Sequence, residues 1–127
     1  MKTDQILHLD FRKPENQAII QKALKKIKPF SDLKEEPTLR HFEKFITLVV
    51  HKYDITPQYI MYGQDEERNL ILRISLKTKL KSEWVKTISG SCLYEVYSKA
   101  VIFIYSEIKK GNIGKLKWLK YIQMALV

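Results

Sequence analysis

Three histidines and one cysteine are the side chains of this sequence best suited to nucleophilic or metal chemistry: His8, His41, His51 and Cys92. A cysteine beside a histidine is able to act as a nucleophile with its base, but a lone cysteine at the start of a helix is more often a small packing residue. None of the four is paired at the short spacing of zinc sites. The sequence therefore predicts no catalytic residue, no metal site and no cofactor.

The segment Ser89-Gly90-Ser91 precedes the last predicted helix, where backbone N–H groups are able to hold an anion. It lacks the glycine-rich pattern, ending in Lys and Ser or Thr, that marks a phosphate-binding loop. A hydroxyl cap by Ser91 explains the same residues, and Glu95 then complements the helix dipole. We therefore predict a helix cap here rather than a phosphate site.

The net charge of +9 is distributed unevenly along the chain. Residues 1–67 contain eleven basic and eleven acidic residues, so the whole excess falls on residues 68–127. A one-sided basic field attracts polyanions or an acidic partner, although lysines also keep small domains soluble. The charge therefore points equally to an anionic partner and to solubility.

A row of basic residues follows the clearest strand pattern of the sequence. Between residues 70 and 80, apolar and polar side chains alternate, which predicts a half-buried strand with one basic face. That face carries Arg73, Lys77, Lys79 and Lys81, and we expect Lys86 of the next strand to lie near them. These five residues are the predicted nucleic-acid-binding set. Protection of an exposed strand by lysines explains the row equally well.

The C-terminal segment, residues 111–127, combines lysines with aromatic residues. Lys117, Trp118 and Tyr121 are its predicted partner-binding residues. Lysines interleaved with aromatic rings bind nucleic acid through phosphate contacts and stacking, or lie on an anionic membrane surface. Such rings also dock a terminal helix onto a domain, and docking is the interpretation that we favour.

The N-terminal half is predicted to be mainly helical. Alternation over residues 6–11 indicates a short strand, and Pro14 opens a helix that closes before Pro29. A second helix is expected over about residues 38–52. Its predicted apolar stripe consists of Leu39, Phe42, Ile46, Val49 and Val50.

The second half is predicted to change from strands back to helix. Strand patterns occupy about residues 59–62, 70–80 and 83–89. A long helix is expected over residues 92–110, since lysines and then Gly111 mark its end. Residues 115–127 are suited to a short terminal helix.

Together these elements predict one small α+β domain over residues 1–127, with N-terminal helices and a three-stranded antiparallel sheet packed on a long C-terminal helix. Residues 1–37 form an N-terminal strand and helix arm, residues 38–110 an α-β-β-β-α core, and residues 111–127 the basic-aromatic segment. The order of elements resembles that of the double-stranded RNA-binding domain over roughly residues 38–110. The last helix of that family starts with a lysine cluster that grips phosphate. Here it starts Ser91-Cys92-Leu93-Tyr94-Glu95, so no residue role is carried over.

The expected function is that of a non-enzymatic basic binding module that contacts nucleic-acid phosphates through the 73–86 strand face. The alternative is an accessory protein of a mobile element or phage that acts through protein contacts or self-association. A single cysteine cannot form an internal disulfide and fits a reducing compartment, the cytoplasm. The N-terminus leads into no long apolar stretch, so neither a signal peptide nor a membrane span is expected.

Overall fold

In the part of the chain that the structure describes, three helices precede a three-stranded sheet, and a fourth helix follows it. The computed structural model describes residues 2–28, 30–53, 55–78 and 83–110. The helices are α1 (Thr3–Leu7), α2 (Pro14–Leu24), α3 (Leu39–Tyr53) and α4 (Leu93–Lys109), with a short 3-10 turn at Phe30–Asp32. The strands are β1 (Ile55–Gln64), β2 (Leu70–Thr78) and β3 (Glu83–Gly90). The α+β class and the α-β-β-β-α order from α3 to α4 are thus confirmed. The predicted terminal helix at 115–127 lies outside the described residues.

The sheet is an antiparallel meander in the order β1-β2-β3. In β2, Leu72 and Ile74 are buried, whereas Arg73 and Lys77 are exposed. The buried face contacts α4, and α3 contacts β1. Because strand side chains alternate between the two faces, the sheet has one face that joins the core and one outer face, as the alternation predicts.

The turn between β1 and β2 is closed by Asp65. One carboxylate oxygen of Asp65 accepts hydrogen bonds from the backbone N–H groups of Glu67 and Asn69, both at 2.9 Å. The pairing shifts between Met61 and Gly63, where Gly63 has a φ of 92°, a conformation that favours glycine. This turn and bulge set the register that places Arg73 on the outer face.

The N-terminal arm differs from its prediction. Within the described residues 2–28, the predicted strand at 6–11 is absent, and Thr3–Leu7 form helix α1 instead. Ile6 and Leu7 are both buried, which suits a helix because a strand would send neighbouring side chains to opposite faces. Thr3 Oγ1 donates a hydrogen bond to Ser106 Oγ at 2.9 Å. Docking on α4 therefore decided the conformation of a segment whose own pattern was short.

The buried residues of helix α3 differ from the predicted stripe. Phe42, Phe45 and Val49 are buried, whereas Leu39 is 49% exposed because it lies at the first position of the helix. The Phe42 and Phe45 rings lie 5.3 and 5.9 Å from the ring of Phe30. Phe45 was not part of the predicted stripe, since its partner ring comes from the turn that follows α2.

Helix α4 is the central element of the core. It contacts α1, α2, α3, β2 and β3. These contacts bury six consecutive residues of the helix: Lys99, Ala100, Val101, Ile102, Phe103 and Ile104. A helix that is covered on most sides is apolar nearly all round. None of the described helices combines the length and the apolar character needed to span a membrane.

Candidate functional site

The outer face of the sheet is the first candidate surface. In β2 it exposes Arg73 and Lys77, and in β3 it exposes Val85 and Thr87. In the register of the sheet, Arg73 pairs with Thr87 and Ser75 with Val85. The exposure of these four side chains shows that no described helix covers them, whereas Ser75, between Arg73 and Lys77, is only 6% exposed. The outer face thus presents two exposed cations near Val85 and Thr87, and the backbone register pairs Lys77 with Glu83.

Arg73 and Lys77 lie on the same strand and the same face. Their four-residue separation corresponds to about 13 Å along a strand, which exceeds the screening length of about 8 Å at physiological ionic strength. Mutual repulsion between them is therefore small, and each cation is able to meet a separate anionic group. Lys79 and Lys81, which continue this row in the sequence, lie outside the described residues.

Lys86 is separated from this row by the sheet itself. In the register of β2 and β3, Lys86 pairs with Ile74, which is fully buried on the helix side. Residues paired across an antiparallel ladder point to the same face, so Lys86 lies on the side opposite Arg73. Its Nζ lies 3.6 Å from Asp4 Oδ1 of α1. The structure therefore places Arg73 and Lys77 on one face of the sheet and Lys86 on the other.

The predicted partner-binding residues belong to the C-terminal segment, residues 111–127. Lys117, Trp118 and Tyr121 lie outside the described residues.

A buried ion pair beneath a polar cleft is a feature that the sequence analysis missed. The cleft has a volume of about 210 Å³ and lies where α1, the end of β3 and the start of α4 meet. At its base Lys99 Nζ donates to Glu95 Oε2 at 2.8 Å, and the two side chains are only 3% and 4% exposed. A signal was available in the sequence: Glu and Lys stand four residues apart inside an apolar helical stripe.

The hydrogen bonds around this pair show what it does. Lys99 Nζ also donates to the backbone carbonyls of Leu9, at 2.9 Å, and Ser89, at 3.4 Å. Glu95 Oε1 accepts from both the backbone N–H and the hydroxyl of Ser91, at 3.1 and 3.0 Å. All three ammonium protons and both carboxylate oxygens therefore have partners. Such a fully bonded pair holds chain segments together.

The predicted cap at the start of α4 has a different arrangement. The extended residue at the cap position is Cys92, with φ −156° and ψ 168°, and it forms no side-chain cap hydrogen bond. Ser91 lies one residue earlier, and its backbone N–H and hydroxyl both donate to Glu95 Oε1. The carboxylate of the chain itself thus accepts these donors, which a bound phosphate would otherwise use.

The remaining candidates for chemistry are dispersed. His41 Nδ1 accepts the backbone N–H of Thr38 at 2.8 Å, so it closes the start of α3. His8 lines the polar cleft, and Cys92 is half-buried. In the part of the chain that the structure describes, no three His, Cys, Asp or Glu side chains come together in a way that would hold a metal ion.

Asp10 and Tyr94 have shifted pKa values with clear causes. The backbone N–H and the guanidinium of Arg12 hold the pKa of Asp10, at the cleft rim, below its usual range. Burial raises the pKa of the Tyr94 phenol, and the Glu36 carboxylate adds to this effect. Tyr94 lines a separate cavity of about 200 Å³, and its phenol is protonated at neutral pH. Both shifts move the pKa further from 7, the range that favours general acid–base catalysis at neutral pH.

Comparisons with known proteins identify no relative. No protein-family model matches the chain, and neither curated proteins nor solved structures yield a match.

Proposed function

We propose that this protein is a non-enzymatic binding module that holds the phosphate backbone of a nucleic acid on the outer face of its sheet. The observation that carries the proposal is the pair of exposed cations, Arg73 and Lys77, on the outer face of the sheet. The net charge of +9 supports it, because a basic field draws a polyanion toward the surface from a distance.

Phosphates suit this face better than bases do. Among the side chains that the structure describes on this face, the exposed neighbours of the two cations are Val85, Thr87 and Ser89, and these three carry no aromatic ring for base stacking. Lys77 is a point charge without the forked donors of arginine, and the fork of Arg73 fits a phosphate as well. Contacts of this kind fix a backbone in place and carry little sequence information.

Fluorescence anisotropy with a mixed-sequence duplex and a single strand, over a series of salt concentrations, tests the proposal. Counterion release makes log K fall with log salt by about 0.9 for each phosphate contacted on a duplex and about 0.7 on a single strand. We expect the double variant Arg73→Gln/Lys77→Gln to bind about tenfold more weakly per lost contact at 0.1 M salt, with a shallower salt slope. The effect should be the same for unrelated sequences.

The matched control is Lys22→Gln/Lys44→Gln. It removes the same charge from two exposed lysines of α2 and α3, in the helical layer. We expect it to retain most of the affinity and the salt slope. Equal losses in both double variants would show that only the overall charge matters. Absence of binding by the wild-type chain even at low salt would overturn the proposal and assign the lysines to solubility.

A further inference from the structure

An open groove with an apolar floor lies on the helical side of the molecule. It is enclosed by α3, the end of α4 and the segment after α2, and its volume is about 700 Å³. The floor consists of Phe45, Leu48, Val49, Tyr105 and Ile108. Leu48 is 50% exposed, so the surface of the groove offers an apolar contact that no described residue covers.

The rim of the groove is basic. Its polar lining consists of Lys26, Lys28, His51 and Lys52. An adjoining cavity of about 320 Å³ shares Lys26 and Tyr105 and adds Lys109 and Lys110. No carboxylate is among the described residues that line either cavity. Lys110, which lines the adjoining cavity, forms a loose ion pair in which its Nζ lies 3.9 Å from Glu107 Oε1.

We propose that this groove docks an amphipathic helix of an acidic partner protein. A helix places apolar residues at i, i+4 and i+7 on one face, which is the pattern read by an apolar groove between helices. Carboxylates that flank this stripe would meet the lysines of the rim, whose ammonium groups reach out from apolar stems. Charge complementarity of this kind selects the partner and speeds the encounter.

Charge also argues against the chain itself as the occupant. The whole chain carries +9, and a second copy would bring the same lysines to the interface. Residues 111–127 contain Lys115, Lys117 and Lys120 without any Asp or Glu. Like charges brought together at an interface suppress association, so an acidic partner is the better match.

This inference is independent of the proposed nucleic-acid face. The groove is built from helices, whereas Arg73 and Lys77 lie on the outer face of the sheet. A phosphate backbone would use the lysines but not Leu48, because the apolar floor has nothing to gain from a phosphate. A substitution at Leu48 should therefore weaken binding in the groove and leave binding on the sheet unchanged.

The first experiment is a selection from a displayed library of random 16-residue peptides, with the full-length chain as bait. We expect the enriched peptides to have a negative net charge and apolar residues at i, i+4 and i+7. Enrichment of neutral or basic peptides would overturn the proposal. So would the absence of any enrichment.

The second experiment measures the strongest enriched peptide by fluorescence anisotropy against wild-type, Leu48→Gln and Leu93→Gln chains. Leu93 is the matched control because it is 52% exposed and is the first residue of α4, about 18 Å or more along the helix from Tyr105. We expect Leu48→Gln to weaken binding at least about tenfold, as a central anchor does, and Leu93→Gln to leave it unchanged. Circular dichroism shows whether both variants keep the fold.

A third variant tests the charge of the rim. Lys28→Glu should weaken the same peptide several-fold, and the loss should diminish at high salt because the rim lysines are exposed to solvent. Two outcomes contradict the proposal: peptide binding that survives Leu48→Gln, and a dimer seen by sedimentation velocity that Leu48→Gln dissolves. The latter would assign the groove to a second copy.

Discussion

Lys99 Nζ lies 2.8 Å from Glu95 Oε2, with both side chains almost completely buried. The ammonium also binds the carbonyl of Leu9, which follows α1, and that of Ser89, near the end of β3. One charged pair on α4 thus joins the N-terminal arm to the sheet. Burying two charges is costly unless every hydrogen-bonding position is used, and this network uses them.

Removing one member of the pair should be strongly destabilising. Glu95→Gln leaves a buried ammonium without its counter-charge, so we expect the free energy of unfolding to fall by about 3 kcal/mol or more. Urea denaturation followed by circular dichroism measures this loss. Hydrogen exchange should show reduced protection around Leu9, because the arm is held by the same ammonium.

Two comparisons isolate the burial of the pair as the cause. Asp10→Asn disrupts an ion pair with Arg12 whose side chains are 43% and 59% exposed, and its effect should be far smaller. The double variant Glu95→Gln/Lys99→Gln should lose less than the sum of the two single losses, because the groups interact directly. If the loss of unfolding free energy in the double variant equalled the sum of the two single losses, a direct interaction between Glu95 and Lys99 would be contradicted.

Gly90 is predicted to be intolerant of a side chain. A Cβ at this position would meet the Glu95 side chain, with its Cδ at 2.7 Å, and the buried carboxylate cannot move without leaving Lys99 and Ser91. We expect Gly90→Ala to lower the free energy of unfolding by about 1–3 kcal/mol. In a Glu95→Ala background the same change should cost much less.

Gly63→Ala is the control for this effect. Gly63 has a φ of 92°, and a Cβ there would meet nothing within 4 Å. Its replacement should cost about 1–2 kcal/mol through backbone strain alone, and equally so with or without Glu95. If Gly90→Ala lowered the free energy of unfolding equally with Glu95 and with Glu95→Ala, the contact between position 90 and the Glu95 side chain would be contradicted.

Cys92→Ser is predicted to stabilise the protein. Cys92 stands at the cap position of α4 and forms no cap hydrogen bond there, whereas serine is a favoured cap that contributes about 1 kcal/mol. Thermal unfolding should show a midpoint a few degrees higher for Cys92→Ser and little change for Cys92→Ala. Nucleic-acid binding should be unaffected in both variants. Loss of an activity with an unchanged fold would instead indicate a nucleophilic thiol.

Much of the fold was predictable because local pattern and tertiary contacts agree. The alternation that places Leu72 and Ile74 on one face and Arg73 on the other is local, and the structure keeps it. The strand predicted around Ile6 is wrong because the conformation of this segment depends on α4, about a hundred residues away along the chain. Exposure of Leu39 likewise depends on where the core ends rather than on helical spacing.

The surfaces were less predictable, since a charge acts in space and not along the sequence. The groove lysines Lys26, Lys28 and Lys52 belong to the half of the chain that sums to zero charge. Only the packing of α2, α3 and α4 brings them to one rim.

The two faces of the sheet lead to a last prediction, which compares Lys77 with Lys86. Both single changes to Gln remove one positive charge, but Lys77 is exposed on the outer face, whereas Lys86 lies on the helix side beside Asp4. If phosphates bind to the outer face, Lys77→Gln should weaken duplex binding about tenfold at 0.1 M salt and reduce the salt slope by about one. Lys86→Gln should leave the slope unchanged and lower stability by no more than about 1 kcal/mol, as is usual for a partly exposed pair. Anisotropy titrations of both variants at several salt concentrations make the comparison. Equal losses at the two positions would mean that the sheet does not separate a binding face from a structural one.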